Sequence, residues 1–458
     1  MIRKKSILNM MLITLAVISV LNFVSIQLAM AHPGEKDDSG HQEGIQTRED
    51  GSIQRPPTKE HYEAAAELGH KLHPIHAANQ ARIYGWLTAI AQGTIGSKDD
   101  SGKKNDKAEG SLSGDIFYEA SLNESGRFTI HLDIQQGEGL THTPGLFTSP
   151  NGNPTGPNND IESFNNDQVH LDQAWYETTL ADGKLTLTLG QLDPTAYFDT
   201  NNYANNERFQ FIANQFGNNP TIEFGGTGNF YGAGFRLTYS PSDIVDITLG
   251  ALDGDGNYSE MFDRPFVIAE VDLKPKLVGK EGNYRFYVWQ NSLPHYRMDN
   301  DDDGNPINPI FVTSVGNPFA TLPAGTELIG NKNPGFGINF DQALTDNLGI
   351  WARLGIQDGD VSQFDRHLSG GLQLSGGAFG RPDDVLGLGL ALTMISDAYK
   401  DTSSGLNSNE LYAEAYYNIA VKEGFFQVTP DIQYVANPGG NGDRDSFVVY
   451  GVRAGVMF

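Results

Sequence analysis

Val448-Val449-Tyr450-Gly451-Val452-Arg453-Ala454-Gly455-Val456-Met457-Phe458 ends the chain. Val448, Tyr450, Val452, Ala454, Val456 and Phe458 fall on one side of this stretch. Val449, Gly451, Arg453, Gly455 and Met457 fall on the other. A period of two is the signature of a strand with unlike faces. The same period appears one segment earlier. Phe426, Val428, Pro430, Ile432, Tyr434 and Ala436 alternate with Gln427, Thr429, Asp431, Gln433 and Val435. Leu185, Leu187 and Leu189 alternate with Thr186 and Thr188. Sixteen such segments can be marked from residue 82 onward. They lie near 82–92, 112–123, 126–135, 168–180, 183–192, 228–240, 243–252 and 264–274. The other eight lie near 281–293, 334–342, 347–357, 367–376, 384–396, 408–420, 424–436 and 446–458.

The connections decide between a soluble sandwich and a membrane barrel. Asn123-Glu124-Ser125-Gly126, Ala181-Asp182-Gly183, Ser240-Pro241-Ser242-Asp243 and Val421-Lys422-Glu423-Gly424 are short turns. They alternate strictly with longer loops rich in Gly, Asn, Asp and Pro, the longest near 136–167, 192–227 and 293–333. Alternation of this kind gathers short turns at one end and long loops at the other. A transmembrane antiparallel β-barrel has that asymmetry, with periplasmic turns and external loops; a sandwich does not. The expectation is an all-β barrel of sixteen strands over 81–458. Its first and last strands must pair, because lipid cannot satisfy a free edge.

Composition narrows the function. The 458 residues include 53 Gly, 22 Pro and no Cys, which removes disulfide scaffolds, thiolate metal sites and cysteine nucleophiles. A net charge of −26 argues against nucleic acid as a partner. Arg3, Lys4 and Lys5 precede an apolar run from Ile7 to Leu28, and Ala29-Met30-Ala31 is a small-x-small site. Residues 1–31 therefore read as a cleaved signal peptide, with an uncleaved anchor as the competing reading. Cleavage removes three positive charges and no negative one, so the charge falls to −29. Residues 32–80 read as a polar tail followed by a short periplasmic helix over 59–80. His70, His73 and His76 recur at helical spacing there, as a partial metal set or as a solvated face. No G-x-S-x-G, H-E-x-x-H, Walker A or G-x-G-x-x-G motif is present, so no enzyme is expected.

Three stretches carry a resemblance. The first runs from Leu185 through Gly190-Gln191-Leu192-Asp193-Pro194-Thr195-Ala196-Tyr197-Phe198-Asp199 to Ala204. The second is Gln427-Val428-Thr429-Pro430-Asp431-Ile432-Gln433-Tyr434 with Asn437-Pro438-Gly439-Gly440-Asn441. The third is Tyr450–Phe458. From about residue 80 to its end the chain resembles the carbohydrate-selective porin family (OprB-type) of bacterial outer membranes. Tyr450, Val456 and the terminal Phe458 resemble the signal read by the barrel-insertion machinery. The resemblance implies a sixteen-stranded barrel in outer-membrane lipid that passes mono- or oligosaccharides without energy input. Porins of this architecture are often homotrimers and fold their third external loop inward. Here that loop is 192–227, whose Tyr197, Asp199, Asn201, Asn202, Arg208 and Phe209 become the candidate constriction. Tyr197 and Phe209 would stack on sugar, and Arg208 with Asp199 would set a transverse field.

Alternation then proposes wall residues that face the lumen. They are Arg285, Tyr287, Trp289, Trp351, Arg353, Glu414, Asp431 and Arg453. Aromatic faces pack on the CH face of a pyranose while Arg and carboxylates hydrogen-bond its hydroxyls. Two alternatives stay open: the polar groups pair among themselves across a wet wall, or Trp289 and Trp351 belong to an aromatic girdle after a one-residue register slip. No cofactor is expected. Asp299, Asp301, Asp303 and Gly304 match half of a calcium loop, but Ile310 stands where Glu is required, which leaves only a looser external Ca2+ site. Two rival functions remain: a general or cation-selective porin favoured by the acidic charge, and a surface receptor or adhesin acting through its loops.

Overall fold

Seventeen antiparallel strands make one closed sheet in the computed structural model. It describes residues 81–458 except 100–101, 123–125, 138, 141–145, 153–167, 225–230, 255–257, 259–261, 263, 296–297, 299–330, 404 and 423–424. The signal peptide, the tail and helix at 32–80, His70, His73, His76 and the Asp299–Asp303 loop lie outside the described residues. The strands are β1 (Ala81–Ile95), β2 (Ala108–Ser121), β3 (Gly126–Gln136), β4 (Gln168–Leu180), β5 (Leu185–Leu192) and β6 (Gly232–Ser242). Then come β7 (Val245–Asp253), β8 (Pro265–Leu273), β9 (Lys276–Leu277), β10 (Lys280–His295), β11 (Asn331–Ala343) and β12 (Leu348–Gln357). The last five are β13 (Phe364–Ser375), β14 (Val385–Ile395), β15 (Glu410–Lys422), β16 (Phe426–Ala436) and β17 (Phe447–Met457). β9 is a two-residue extension paired to the start of β10. The other sixteen form the barrel, each overlapping one segment marked in the sequence.

β1 closes the barrel by pairing β17, from Trp86↔Met457 to Ile95↔Val448. Gly85 and Phe458 exchange both backbone hydrogen bonds at 2.9 Å, so the last residue is part of the seam. Pro430 sits where the β15–β16 partners skip from Tyr416↔Asp431 to Ile419↔Val428. That gap accommodates a residue with no N–H. The short–long alternation has one exception: residues 376–384, between β13 and β14, outnumber 358–363 between β12 and β13.

The barrel is inverted relative to a soluble protein. Leu87, Leu171, Leu189, Leu249, Phe286, Leu390, Ile432 and Val452 point outward and are exposed, while inward positions are polar and buried. Lipid meets the first set and makes its exposure favourable. All four tryptophans, Trp86, Trp175, Trp289 and Trp351, are buried on the inward side. Trp289 and Trp351 are therefore not girdle residues. Outward aromatics are instead tyrosines such as Tyr118, Tyr239, Tyr434 and Tyr450, with the phenylalanines Phe286 and Phe336.

Candidate functional site: the constriction loop and an arginine–glutamate ladder

The connection after β5 turns into the barrel. Asp193 starts the turn by capping a 3-10 helix, Pro194–Ala196, through Thr195 N at 2.9 Å. Pro194, with its fixed φ, suits the first helical position. Asp199 then adopts φ 55, a left-handed conformation that Asp tolerates better than most residues. A four-residue helix, α1 (Asn214–Gly217), follows deep in the lumen.

Three groups of wall residues hold this loop. On β8, β11 and β12, Glu270 accepts from Asp199 N at 2.8 Å, Asn339 donates to Asp199 O and Oδ1 at 2.8 Å, and Arg353 pairs with Asp199 Oδ2 at 3.1 Å. Arg353 also donates to the carbonyls of Phe216 (2.7 Å) and Gly217 (3.2 Å). Asn201 and Asn202 donate to Asn339 and Asp341 at 2.7 and 2.6 Å. On β15 and β17, Glu414 accepts from Ile212 N and Ala213 N at 2.5 and 3.0 Å, and Arg453 donates to Glu207 O and Gln210 O at 2.5 and 2.9 Å. On β2, Asp115 accepts from Arg208 Nε and an Nη at 2.7 and 2.8 Å. Aromatic packing adds to this: Phe211 and Phe216 cluster with Trp351, Tyr412 and Tyr416. Glycines opposite the rings make the room. A methyl on Gly349 would lie 2.0 Å from the Tyr203 ring, and one on Gly337 would lie 2.4 Å from the Tyr287 hydroxyl.

The preceding loop also turns in. Gln92 and Gln433 both donate to Pro150 O at 3.0 Å, and Gly152 N and Asn214 N bond across to Ile212 O and Ser149 O at 2.8 and 3.0 Å. Among the described residues, two loops rather than one narrow the lumen. The sequence reading placed 146–152 within the long loop near 136–167 and did not assign it to the constriction.

The wall residues named from alternation all face inward, and most are buried beneath these loops. Arg285, Arg353 and Arg453 are 5%, 1% and 0% exposed, and Tyr287, Trp289, Trp351, Glu414 and Asp431 are buried too. Arg285 is bonded to Asp341 at 2.8 Å, Tyr287 to Asn219 at 2.8 Å, and Asp431 to Gln433 at 3.0 Å. What meets them is the loop or a neighbouring wall residue rather than open lumen. The transverse pair also takes a different form: Arg208 binds Asp115, and Asp199 binds Arg353.

A different set of charged residues is partly open. Arg82 on β1 donates to Glu119 on β2 at 2.8 Å, and Arg127 on β3 reaches Glu119 at 3.5 Å and Glu177 on β4 at 3.0 Å. Arg236 on β6 closes the row on Glu177 at 2.8 Å, and Thr188 on β5 donates to the same carboxylate at 3.1 Å. Register builds this ladder: Arg82 opposes Glu119, Arg127 opposes Glu177, and Thr188 stands between Glu177 and Arg236. The side chains of Arg82, Arg127 and Arg236 are 27%, 20% and 15% exposed. Aromatic faces back them. Arg236 lies 4.2 Å over Tyr197, Arg127 lies 5.3 Å over Trp175, Arg82 lies 5.9 Å over Tyr84, and Arg208 lies 5.7 Å over Trp86. Phe209 sits edge-on to Trp86 at 6.4 Å. Burial pushes the Tyr197 hydroxyl above the usual phenol range. Burial opposes the charge on Arg208, but Asp115 and Glu207 outweigh it and raise its pKa. The sequence analysis missed the ladder. Its available signal was the recurrence of charged residues on the inward face of consecutive spanning strands, where ionised groups are costly and functional.

Comparison with known proteins agrees with this geometry. A family model described as "Carbohydrate-selective porin, OprB family" matches residues 124–458. Porin B of Pseudomonas aeruginosa is 22% identical over 393 residues, spanning 73% of this chain and 83% of that protein. Porin AaxA of Chlamydia pneumoniae is 22% identical over 302 residues, spanning 64% and 60%. The fold matches a solved high-pH structure of Pseudomonas putida OprB with TM-score 0.68 and 18% identity, covering 83% of this chain and 94% of that one. The chain belongs to the carbohydrate-selective porin family, OprB, and is an outer-membrane porin that passes sugars by diffusion.

Proposed function

We propose that sugar crosses the constriction along the Arg82–Glu119–Arg127–Glu177–Arg236 ladder, with Tyr197 and Arg208 of the inward loop on its border. The observation that carries this reading is the sorting of the arginines. Arg285, Arg353 and Arg453 are buried as anchors, whereas the ladder arginines keep part of their side-chain surface open. Three arginines and two glutamates alternate, so their charges largely cancel while N–H donors and carboxylate lone pairs remain. A neutral polyol can exchange its hydroxyls into that row, and a simple ion gains little from it. The alternation thus supports sugar over the cation-selective reading suggested by net charge. Backing aromatics offer the apolar side of a pyranose a surface. Selectivity would come from lining groups and bore, not from a closed pocket.

Planar-bilayer conductance titrated with glucose tests this. Arg127→Met should weaken saturable sugar block by about tenfold, the worth of one charge-assisted hydrogen bond, in a barrel that still opens. Unchanged block would place the sugar path elsewhere. The remaining features fit the same location. The small-x-small site supports removal of residues 1–31, and Edman sequencing of outer-membrane protein should begin at His32. The seam position of Phe458 supports its reading, with Tyr450 and Val456, by the insertion machinery.

A further inference from the structure

We infer that His131, which borders the lumen without belonging to the ladder, is a positioning residue that fixes Arg208 through Asp115. The inference rests on the reading that Arg208 borders the sugar path. The geometry is a chain of four hydrogen-bonded links. Trp175 Nε1 donates to Gln173 Oε1 at 3.1 Å. Gln173 Nε2 lies 3.3 Å from His131 Nδ1. His131 Nε2 lies 2.9 Å from Asp115 Oδ1. Asp115 holds Arg208 through both carboxylate oxygens. Trp175, Gln173, His131 and Asp115 are all buried.

The chain has one self-consistent polarity. An indole nitrogen can only donate. The Gln173 atom facing Trp175 must therefore be its oxygen, and the atom facing His131 must be its amide nitrogen. Gln173 then donates, and His131 Nδ1 accepts. A neutral imidazole with Nδ1 as acceptor carries its proton on Nε2. That proton points at Asp115, whose lone pairs remain directed at His131 and Arg208. Phe117 stacks flat on the imidazole, with centroids 4.1 Å apart and planes at 6°, which holds the ring angle. One end of the chain is Trp175, the face beneath Arg127. The other is Arg208, which lies over Trp86. The two arginines flanking the path are thus tied by a relay whose tautomer is set by a tryptophan. This is second-layer orientation of the kind that tunes metal and catalytic ligands, applied to a diffusion pore.

The test has two readouts on the refolded full barrel. The first is sugar block in planar bilayers for His131→Phe, Arg208→Met and the double variant. Phenylalanine keeps the stack on Phe117 and removes both nitrogens. His131→Phe should weaken glucose block by about fivefold with conductance steps retained, and the double variant should lose no more than Arg208→Met alone. Additive losses would overturn the relay. The second readout is 15N NMR of labelled histidine, with the His131 signals identified by their loss in His131→Phe. Protonated Nε2 with bare Nδ1 is expected, and Gln173→Leu should disturb that pattern. Protonated Nδ1 with bare Nε2 would overturn the proposal whatever the sugar data show. If Arg208→Met leaves sugar block unchanged while the NMR pattern holds, the role of Arg208 at the sugar path fails and the tautomer assignment stands.

Discussion

Replacing Asp199 should widen the channel, and by different amounts for two replacements. Its carboxylate, buried completely, accepts from Asn219 N at 2.6 Å and Asn339 at 2.8 Å and faces Arg353 at 3.1 Å. It thereby joins the start of the inward loop to its end, and both to β11 and β12. Asp199→Asn keeps an acceptor and tolerates φ 55, but removes the anion. The loss should be about 1.5–3 kcal/mol, the worth of hydrogen bonds to a charged group. Asp199→Ala also loses the remaining acceptor and places a side chain with poor left-handed tolerance at that φ, costing roughly 1–2 kcal/mol more. At about 1.4 kcal/mol per tenfold, the docked-to-undocked ratio of this loop segment falls about ten- to a hundredfold in Asn and further in Ala. Arg208–Asp115, Glu414 and Arg453 hold the rest of the loop, so the segment loosens without the whole loop leaving. Single-channel conductance should rise and grow noisy in the order wild type, Asn, Ala. Liposome swelling with trisaccharide should follow the same order. Heat-modifiable migration on electrophoresis checks that the barrel itself is intact. Asn and Ala with equal conductance would refute the backbone argument, and both matching wild type in a folded barrel would refute the anchor.

Three further outcomes follow from other contacts. Gly349→Ala should loosen the loop from the opposite side by displacing the Tyr203 ring, giving higher conductance with little change in the melting of the strands. Deleting Phe458 should lower the yield of outer-membrane protein and the thermal resistance of what inserts, because the Gly85 bonds at the seam are lost; normal yield and stability would remove Phe458 from both roles. At the periplasmic end, burial would raise the Asp384 carboxyl, but hydrogen bonds from Arg381, Tyr417 and Ala420 N outweigh it and hold it below the usual 3.8. A depressed carboxylate stabilises the fold above its unfolded pKa and stops doing so as pH falls through its folded value. Asp384→Asn should therefore lower thermal stability at pH 7 and narrow the gap between variant and wild type toward pH 2.

The strands were legible because lipid imposes a rule that each one obeys separately. A residue such as Val452 or Ile432 must face hydrocarbon wherever the strand lies in the barrel, so period-two reading recovers its face without knowing its neighbours. Arg285, Trp351 and Arg453 were placed inward by that rule, and the structure puts them there. The inward loop was legible only through resemblance, since nothing local in Asp193–Phe224 says that its backbone N–H groups will be met by Glu414 and Glu270.

Depth was not legible, and depth separates an anchor from a sugar contact. Alternation gives Arg353 and Arg127 the same description: an arginine on the inward face of a spanning strand. One is sealed by carbonyls of a loop more than a hundred residues away in sequence, and the other shares two carboxylates on neighbouring strands while keeping open surface. The difference lies in which counter-charge each one meets. A buried guanidinium is costly unless it is paired, and Arg353, Arg285 and Arg453 take loop carbonyls, buried carboxylates and fixed polar groups. Arg82, Arg127 and Arg236 instead keep part of their side-chain surface open beside the ion pairs they make with Glu119 and Glu177. Inward charges of alternating sign at opposed register positions on consecutive strands are therefore the pattern by which a ladder of this kind would be found in another barrel, once its strand pairing is known.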